Sequence, residues 1–417
     1  MMDYILLAVP FFLVMILLEV LITRQQRLSF YRFNDAIVDL SCGIGQQILG
    51  FFIKAAIFAF YTLMYDRFAL WQWSAKSPWC WLVAFLAVDF AYYWWHRLSH
   101  EVNFLWAIHV VHHQSEDYNF AVGLRQAWFS GISNIPFQLP LVLLGISPIV
   151  LLTTFSLNVL YQFWIHTRAI GKLGWIETIV NTPSHHRVHH GRNDKYLDKN
   201  YSGVFICWDK WFGSFQEEEE EPLYGTVKVY GSWNPLWANF HYWVELLQLS
   251  RQANNWSDRL KVWIKYPGWL PANITRPSAD ADTTPVRYQT PMIKGLNYYI
   301  LSHFFIISLI TATIGLSTIT IEQYVSGGFV LVTTLIWGGL FEAKTWALRL
   351  EYWRLVFIGV LAVKLGYSEI INGLTTSSIL LVTIGWAIWL ERYRVKFQTL
   401  STAPPANKST KVAATIS

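Results

Sequence analysis

The chain has 417 residues, of which 53% are hydrophobic, 17% aromatic and only 14% charged, and it carries a formal net charge of +5. Soluble domains average about a quarter charged residues, so this composition excludes an ordinary soluble fold and points to an integral membrane protein. The basic excess does not imply a nucleic-acid partner, because Arg24, Arg27 and Arg32, then Lys344, Arg349 and Arg354, then Arg392, Arg394 and Lys396 cluster after apolar runs, the pattern of positive-inside bias.

The first apolar run, ILLAVPFFLVMILLEVLI at 5–22, has neither a basic leader nor a small-residue cleavage site and is followed by the basic TRQQRLSFYR. It reads as a retained anchor. With each basic cluster in the cytosol, this helix runs inward, 36–64 runs outward and 78–95 returns, ending in HRLSH. The apolar stretch 129–165 is too long for one span and is punctuated by Pro136, Pro140 and Pro148, so the expectation is a two-helix hairpin that returns at WIHTR and sets His166 beside the same surface. Residues 167–294 contain no spanning run, and four further apolar runs follow at 297–322, 326–343, 355–371 and 374–391.

The expected fold class is therefore an all-α integral membrane protein of about nine transmembrane helices with a cytosolic histidine-rich site and a cytosolic C-terminus. Its expected parts are N-terminal anchor helices (1–77), a catalytic region with three histidine boxes (78–245), a cytosolic connecting segment (246–294), C-terminal transmembrane helices (295–397) and a disordered tail (398–417). The three cysteines, Cys42, Cys80 and Cys207, are scattered and support neither a disulfide framework nor a zinc ribbon. The acidic run Glu217 to Glu221 reads as a solvated loop, and the sequons at Asn200, Asn255 and Asn273 fall in segments placed in the cytosol.

The chemistry lies in the histidines. His96 and His100 in HRLSH, His109, His112 and His113 in HVVHH, and His186, His189 and His190 in HRVHH all use i, i+3 or i+4 spacing. On a helix such positions share a face, so each box is expected to point its imidazoles at a common point. Neutral imidazole binds iron, zinc, copper or nickel, and eight such ligands exceed what one ion takes, so two metals fit better. His166 is a candidate ninth ligand. His185 is offset from the HRVHH face and is expected behind the ligands, as is Asp89, which lies two turns before His96 and is placed to accept an imidazole N–H. Glu101, directly after His100, is the candidate proton shuttle, and Glu116, Asp117 and Asp194 are further carboxylates for charge compensation. His241 and His303 stand alone and read as packing residues.

HRLSH, HVVHH and HRVHH match the HX3H, HX2HH, HX2HH pattern, so residues 80 to 220 resemble the fatty acid hydroxylase and sterol desaturase superfamily of membrane dimetal enzymes. The longer runs HEVNFLWAIHVVHHQSEDYN, LRQ at 124–126, YQFWIHT, NTPSHHRVHHGRNDKYLDKNY and WDKWFGSF are similar to its alkylglycerol monooxygenase (glyceryl-ether monooxygenase) branch. That resemblance implies a diiron monooxygenase that uses O2 and tetrahydrobiopterin to hydroxylate the alkyl carbon next to an ether oxygen in a membrane lipid, releasing a fatty aldehyde. It implies metal ligation by the eight box histidines, with Glu101 in the position of the family's functional glutamate. It also implies a multi-pass location, in the endoplasmic reticulum or a bacterial inner membrane.

Three other readings compete. A sterol or fatty-acyl hydroxylase or desaturase with another electron donor would give modified lipid without chain release. A metal transporter would place its ligands near the bilayer midplane, whereas these lie at span ends. A bis-histidine haem protein needs isolated axial ligands rather than paired and triple clusters.

Overall fold

The computed structural model describes residues 4–274, 287–316 and 320–402. Among the described residues the chain is helical, apart from loops and one isolated β-bridge between Val180 and Phe205. Helix α1 (Tyr4–Gln25) is apolar around its circumference and exposes Leu7, Phe11, Val14, Leu18 and Leu21, as a helix solvated by lipid does. Helix α2 (Phe33–Phe68) is 36 residues long, about 54 Å at the α-helical rise, and so exceeds a hydrocarbon core of about 30 Å. Its first half is buried, from Asp35 to Ile48, and its second half exposes Phe60, Leu63 and Phe68.

Helix α3 (Pro78–Glu101) breaks at Val102 into α4 (Asn103–His113), and a compact run of short helices follows: α5 (Phe120–Gly123), α6 (Ser130–Ser133), α7 (Ile135–Leu143) and α8 (Pro148–Phe163). The region closes with α9 (Pro183–His189), α10 (Cys207–Phe212), α11 (Pro235–Gln252) and α12 (Trp256–Ile264). Proline opens α3, α8, α9 and α11 at the position where its missing N–H and fixed φ cost nothing. Asn234 and Asn255 cap α11 and α12 by accepting from Trp237 N (3.0 Å) and Asp258 N (2.8 Å). The last four helices are α13 (Leu296–Leu316), α14 (Ile321–Phe341), α15 (Thr345–Tyr367) and α16 (Gly373–Thr402), and they pack with α2 around one apolar core. A Cβ at Gly338 would lie 2.3 Å from the Trp233 carbonyl oxygen, so α14 meets the loop before α11 backbone to backbone.

The expected spans fall on helices where the residues are described, but among the described residues only five helices, α1, α2, α13, α14 and α16, are long and apolar enough to cross a membrane. Helices α3 and α15 have the length and fall short in composition: Asp89 and the run Tyr92 to Trp95 lower the first, and Arg349, Glu351, Arg354 and Lys364 the second. The arms of the expected hairpin, α7 and α8, have 9 and 16 residues and are too short to span alone. Two boundaries move. The division expected at 245 falls inside α11, which packs with α12 on α4 through Ala107, Leu246 and Val262, so the connecting segment begins as part of the catalytic region. Residues 398–402 continue α16, and the rest of the expected tail lies outside the described residues.

Arg125 joins the membrane helices to the interior of this region. It is 2% exposed and donates to the Val111 carbonyl (2.7 Å), Asp39 Oδ1 on α2 (2.9 Å) and Gln114 Oε1 (2.7 Å). Asp39 is itself fully buried. Arg125→Met leaves that carboxylate unpaired, and the expected loss is about 3–5 kcal/mol, read as a fall in the unfolding midpoint of the protein in detergent. Arg125→Lys recovers only part of it, since a single ammonium cannot reach three acceptors held by a planar fork.

Candidate metal centre

Nine histidines converge on the end of α3. His96 and His100 occupy its last turns, His109, His112 and His113 lie on α4, His186 and His189 on α9 with His190 as its C-cap, and His166 follows α8. All are buried. They form two groups: in each, ligand-capable nitrogens all lie within 4.8 Å of one another. The first holds His96, His100, His109, His113 and His189, and the second His112, His166, His186 and His190.

The boxes are therefore split, and helical geometry gives the reason. Residues i and i+4 are offset by about 40° around the axis, whereas i+3 lies about 60° the other way. The i, i+4 pairs His96/His100, His109/His113 and His186/His190 each stay together, while His112 and His189, the i+3 members, cross to the other group. The expectation that each box serves one common point holds only for HRLSH.

Hydrogen bonds fix the tautomers. His96 Nδ1 donates to the Tyr201 carbonyl (2.6 Å), His112 Nδ1 to that of Arg125 (3.1 Å), His166 Nδ1 to that of Gln162 (2.7 Å) and His189 Nδ1 to that of Lys199 (2.9 Å). A carbonyl only accepts, so these Nδ1 atoms carry the proton and each neutral ring turns an Nε2 lone pair inward. The inward nitrogens crowd: His96 and His109 Nε2 are 2.9 Å apart, His109 and His113 3.2 Å, His112 and His166 3.1 Å, and His166 and His186 3.0 Å. Nε2 of His100, His189 and His190 is buried without any partner. Two ligands about 2.1 Å from one ion and at right angles to each other lie about 3 Å apart, so the spacing, the tautomers and the orphaned nitrogens all fit a cation in each group.

Burial, reinforced by neighbouring imidazoles, holds His109, His113, His186, His189 and His190 well below the usual histidine range, and burial pushes His112 down to about 4. These rings are therefore neutral at physiological pH, the form in which an imidazole can ligate a metal.

The residues around the cage differ from expectation. Asp89 accepts no imidazole proton: Oδ1 takes Asn158 Nδ2 (2.6 Å) and Val204 N (2.8 Å), and Oδ2 takes Phe205 N (3.1 Å) and Trp208 Nε1 (2.8 Å). These four donors leave it no room for a histidine, and it acts at one remove, holding the loop whose Tyr201 carbonyl orients His96. A Cβ at Gly203 would lie 2.9 Å from Asp89 Oδ1, so this approach requires glycine. Asp209, which the sequence did not single out, holds the same loop by accepting from Tyr201 N and Ser202 N (both 2.8 Å). Glu101 makes no bond to a histidine: its carboxylate pairs with Arg97 Nε (2.8 Å) and its side chain is 39% exposed. The geometry does not place the expected proton shuttle in the cage. Among the described residues the carboxylate nearest an imidazole is that of Asp198, 3.7 Å from His100 Nδ1.

Glu116 and Asp117 face Arg32 instead, and Asp194 is exposed. His185 packs edge-on against Phe215 outside both groups, and Asn200, a sequon residue, is buried and donates to the His185 carbonyl (3.1 Å). The acidic run is a strap rather than a free loop: Glu218 pairs with Arg187 inside HRVHH (2.6 Å), and Glu217, Glu219 and Glu221 pair with Lys172, Lys195 and Arg168. Tyr201 was also missed. Its ring lies 5.3 Å from His100, and its hydroxyl is buried without a partner.

Next to the cage lies a cavity of about 840 Å3, walled mostly by apolar side chains of α1, α2, α8 and α13 and floored by His109, His112 and His166. Glu19 ties α1 to this floor, accepting from Phe120 N (2.9 Å) and from the hydroxyl of Thr167, the neighbour of His166.

Histidines kept neutral by burial make the metal-free protein acid-sensitive. Unfolded histidines take up protons below about pH 6.5 while the buried rings resist to about 4 in the case of His112, so the stability present above pH 6.5 is lost as the pH falls. The expected slope is up to about 1.4 kcal/mol per pH unit for each such histidine, measured by denaturant unfolding of metal-stripped protein between pH 7 and 5. An unchanged midpoint over that range would mean that the rings are hydrated.

Residues 81–214 match the fatty acid hydroxylase family model. Alkylglycerol monooxygenase of Xenopus tropicalis is 34% identical over 405 residues, covering 93% of this chain and 89% of that protein, and that of Danio rerio is 35% identical over 402 residues with the same coverage. The human enzyme of that name is 40% identical over 270 residues, which are 64% of this chain and 60% of the human one. No solved structure matches. With a histidine cage inside the matched region and similarity running through most of both chains, this protein belongs to the alkylglycerol monooxygenase family of the fatty acid hydroxylase superfamily.

Proposed function

We propose that this membrane-bound, oxygen-dependent lipid monooxygenase is a diiron enzyme that cleaves alkylglycerol ether lipids with tetrahydrobiopterin as reductant. The observation that carries the reading is the juxtaposition of nine buried, inward-facing imidazoles with an apolar cavity large enough for a lipid chain. In the reaction, one atom of O2 enters a C–H bond of the alkyl carbon next to the ether oxygen and the other leaves as water, with two electrons and two protons from the pterin. The resulting hemiacetal separates into fatty aldehyde and glycerol or lysolipid.

Nine histidines would hold the metals: His96, His100, His109, His113 and His189 one ion, and His112, His166, His186 and His190 the other. Bound iron would supply the oxidising power for an inert C–H bond that no amino-acid side chain can attack. The chain contributes position and dryness. The carbonyls of Tyr201, Arg125, Gln162 and Lys199 keep the imidazoles aimed. The cavity seats the alkyl chain with its ether end at His109, His112 and His166 and keeps water from the reacting carbon. Asp198, whose carboxylate lies 3.7 Å from His100 Nδ1, can hold a proton beside the cage, and Tyr201, whose hydroxyl is buried without a partner, packs its ring against the same imidazole.

The site is assigned to the cytosolic face. It sits beside Arg32, in the basic segment after α1, which pairs with Glu116 and Asp117, and beside Glu342 at the end of α14, which accepts from Trp233 N. Positive-inside bias puts that side in the cytosol. Helices α3 and α15 and the α7–α8 hairpin then enter the bilayer as well, giving the nine membrane segments expected.

Membranes containing the protein are expected to release fatty aldehyde from a 1-O-alkylglycerol only with both oxygen and tetrahydrobiopterin. His189→Ala and His166→Ala should each lower turnover at least about a hundredfold, since each removes one ligand of a different ion. Hydroxylated or unsaturated lipid without chain release would replace this reading with the sterol or fatty-acyl alternative. Full activity of His166→Ala would remove that residue from the cage.

A further inference from the structure

The cavity beside the cage carries two polar groups that the fold leaves unsatisfied. Asn134, which caps α7, and Gln138, one turn further on, are each 3% exposed and both line the cavity. All four side-chain nitrogen and oxygen atoms of the pair lack a hydrogen-bond partner. Buried amides are almost always paired, because an unpaired one forfeits its hydration with nothing in return. Two complete amides four residues apart on one helix share a face, and both front the space in which a lipid would sit. Their neighbour Ser133 is already engaged, accepting from Trp95 Nε1 (3.1 Å) and donating to the Ser130 carbonyl (3.0 Å). Trp95 lies edge-on to His109, with ring centroids 5.6 Å apart. Ser133, next to Asn134 in the chain, is thus joined through one indole to the first histidine group.

We propose that Asn134 and Gln138 form the headgroup subsite and bind free adjacent hydroxyls of the lipid; the proposal rests on the reading of the cage as an ether-lipid oxygenase. The chemistry matches group for group. A hydroxyl both donates and accepts, and so does a carboxamide, so two hydroxyls can satisfy the carbonyl and amino groups that are now unpaired. A phosphate only accepts, so it would leave both amide oxygens orphaned. The position matches too. In a 1-O-alkylglycerol the reacting carbon is joined through the ether oxygen to the glycerol, so its hydroxyls must lie within a few bonds of the cage, while the alkyl chain fills the apolar remainder.

The test compares the full-length protein in detergent with the near-isosteric apolar variants Asn134→Leu and Gln138→Met. The probes are 1-O-hexadecylglycerol and the same lipid with both hydroxyls methylated. Thermal unfolding midpoints are read with and without each lipid, and KM and kcat are measured for both. The wild type should be stabilised by the diol more than by the dimethyl ether and should favour it by at least about tenfold in kcat/KM. In each variant that preference should fall to within about threefold, chiefly through KM for the diol. Without lipid, both variants should melt higher than the wild type, because the unpaired amide is gone, which also shows that they fold. A diol preference retained in both variants, or absent from the wild type in both binding and turnover, overturns the proposal. Stabilisation by the diol that the variants lose, in a protein that releases no aldehyde, would uphold the subsite and overturn only the oxygenase reading.

Discussion

Everything in this molecule depends on lone pairs forced together. Backbone carbonyls take the Nδ1 protons of His96, His112, His166 and His189, so their Nε2 atoms face inward, in the cases of His96, His112 and His166 with another imidazole nitrogen about 3 Å away. Such an arrangement is repulsive by itself and becomes favourable around a cation. The surrounding structure maintains it. Arg125 ties the α4 histidines to α2, the Arg187–Glu218 pair clamps the α9 histidines, and Asp89 and Asp209 hold the loop that supplies the Tyr201 carbonyl.

The membrane helices make the same cage useful. Helices α1, α2 and α13, apolar enough to span a bilayer, are also walls of the cavity whose floor is His109, His112 and His166. A lipid chain lying among these helices can therefore reach the histidine cage without passing through water. Glu19 and Asp39, carboxylates within α1 and α2, face the catalytic region rather than lipid, where Phe120 N and Thr167 donate to Glu19 and Arg125 pairs with Asp39 Oδ1.

The helices and the eight box histidines were legible in the sequence because each is a local pattern: apolar runs of spanning length, and imidazoles at helical spacing. The assignment of histidines to groups was implicit in the same spacing, since i+4 partners stay together and i+3 residues diverge. What could not be read depends on distant segments meeting. Asp89 looked like an imidazole acceptor from its place on α3, but four donors, from α8, from the loop at 204–205 and from α10, claim it first. Glu101 follows His100 in sequence, yet a position adjacent on a helix points about 100° away, and Arg97 one turn back captures it. The acidic run reads as a loop until Arg187, thirty residues earlier, is seen to need a partner. Asn134 and Gln138 carried no signal at all: only the cavity shows that they are unpaired.

On the proposed reading, nine histidines build two metal sites, with His166 completing the second. Quantifying iron in the purified protein, with Mössbauer spectroscopy to detect magnetic coupling, decides whether they do. Two coupled irons are expected per wild-type chain and one uncoupled iron in His166→Ala. A single iron in the wild type, or two coupled irons that survive loss of His166, would contradict it.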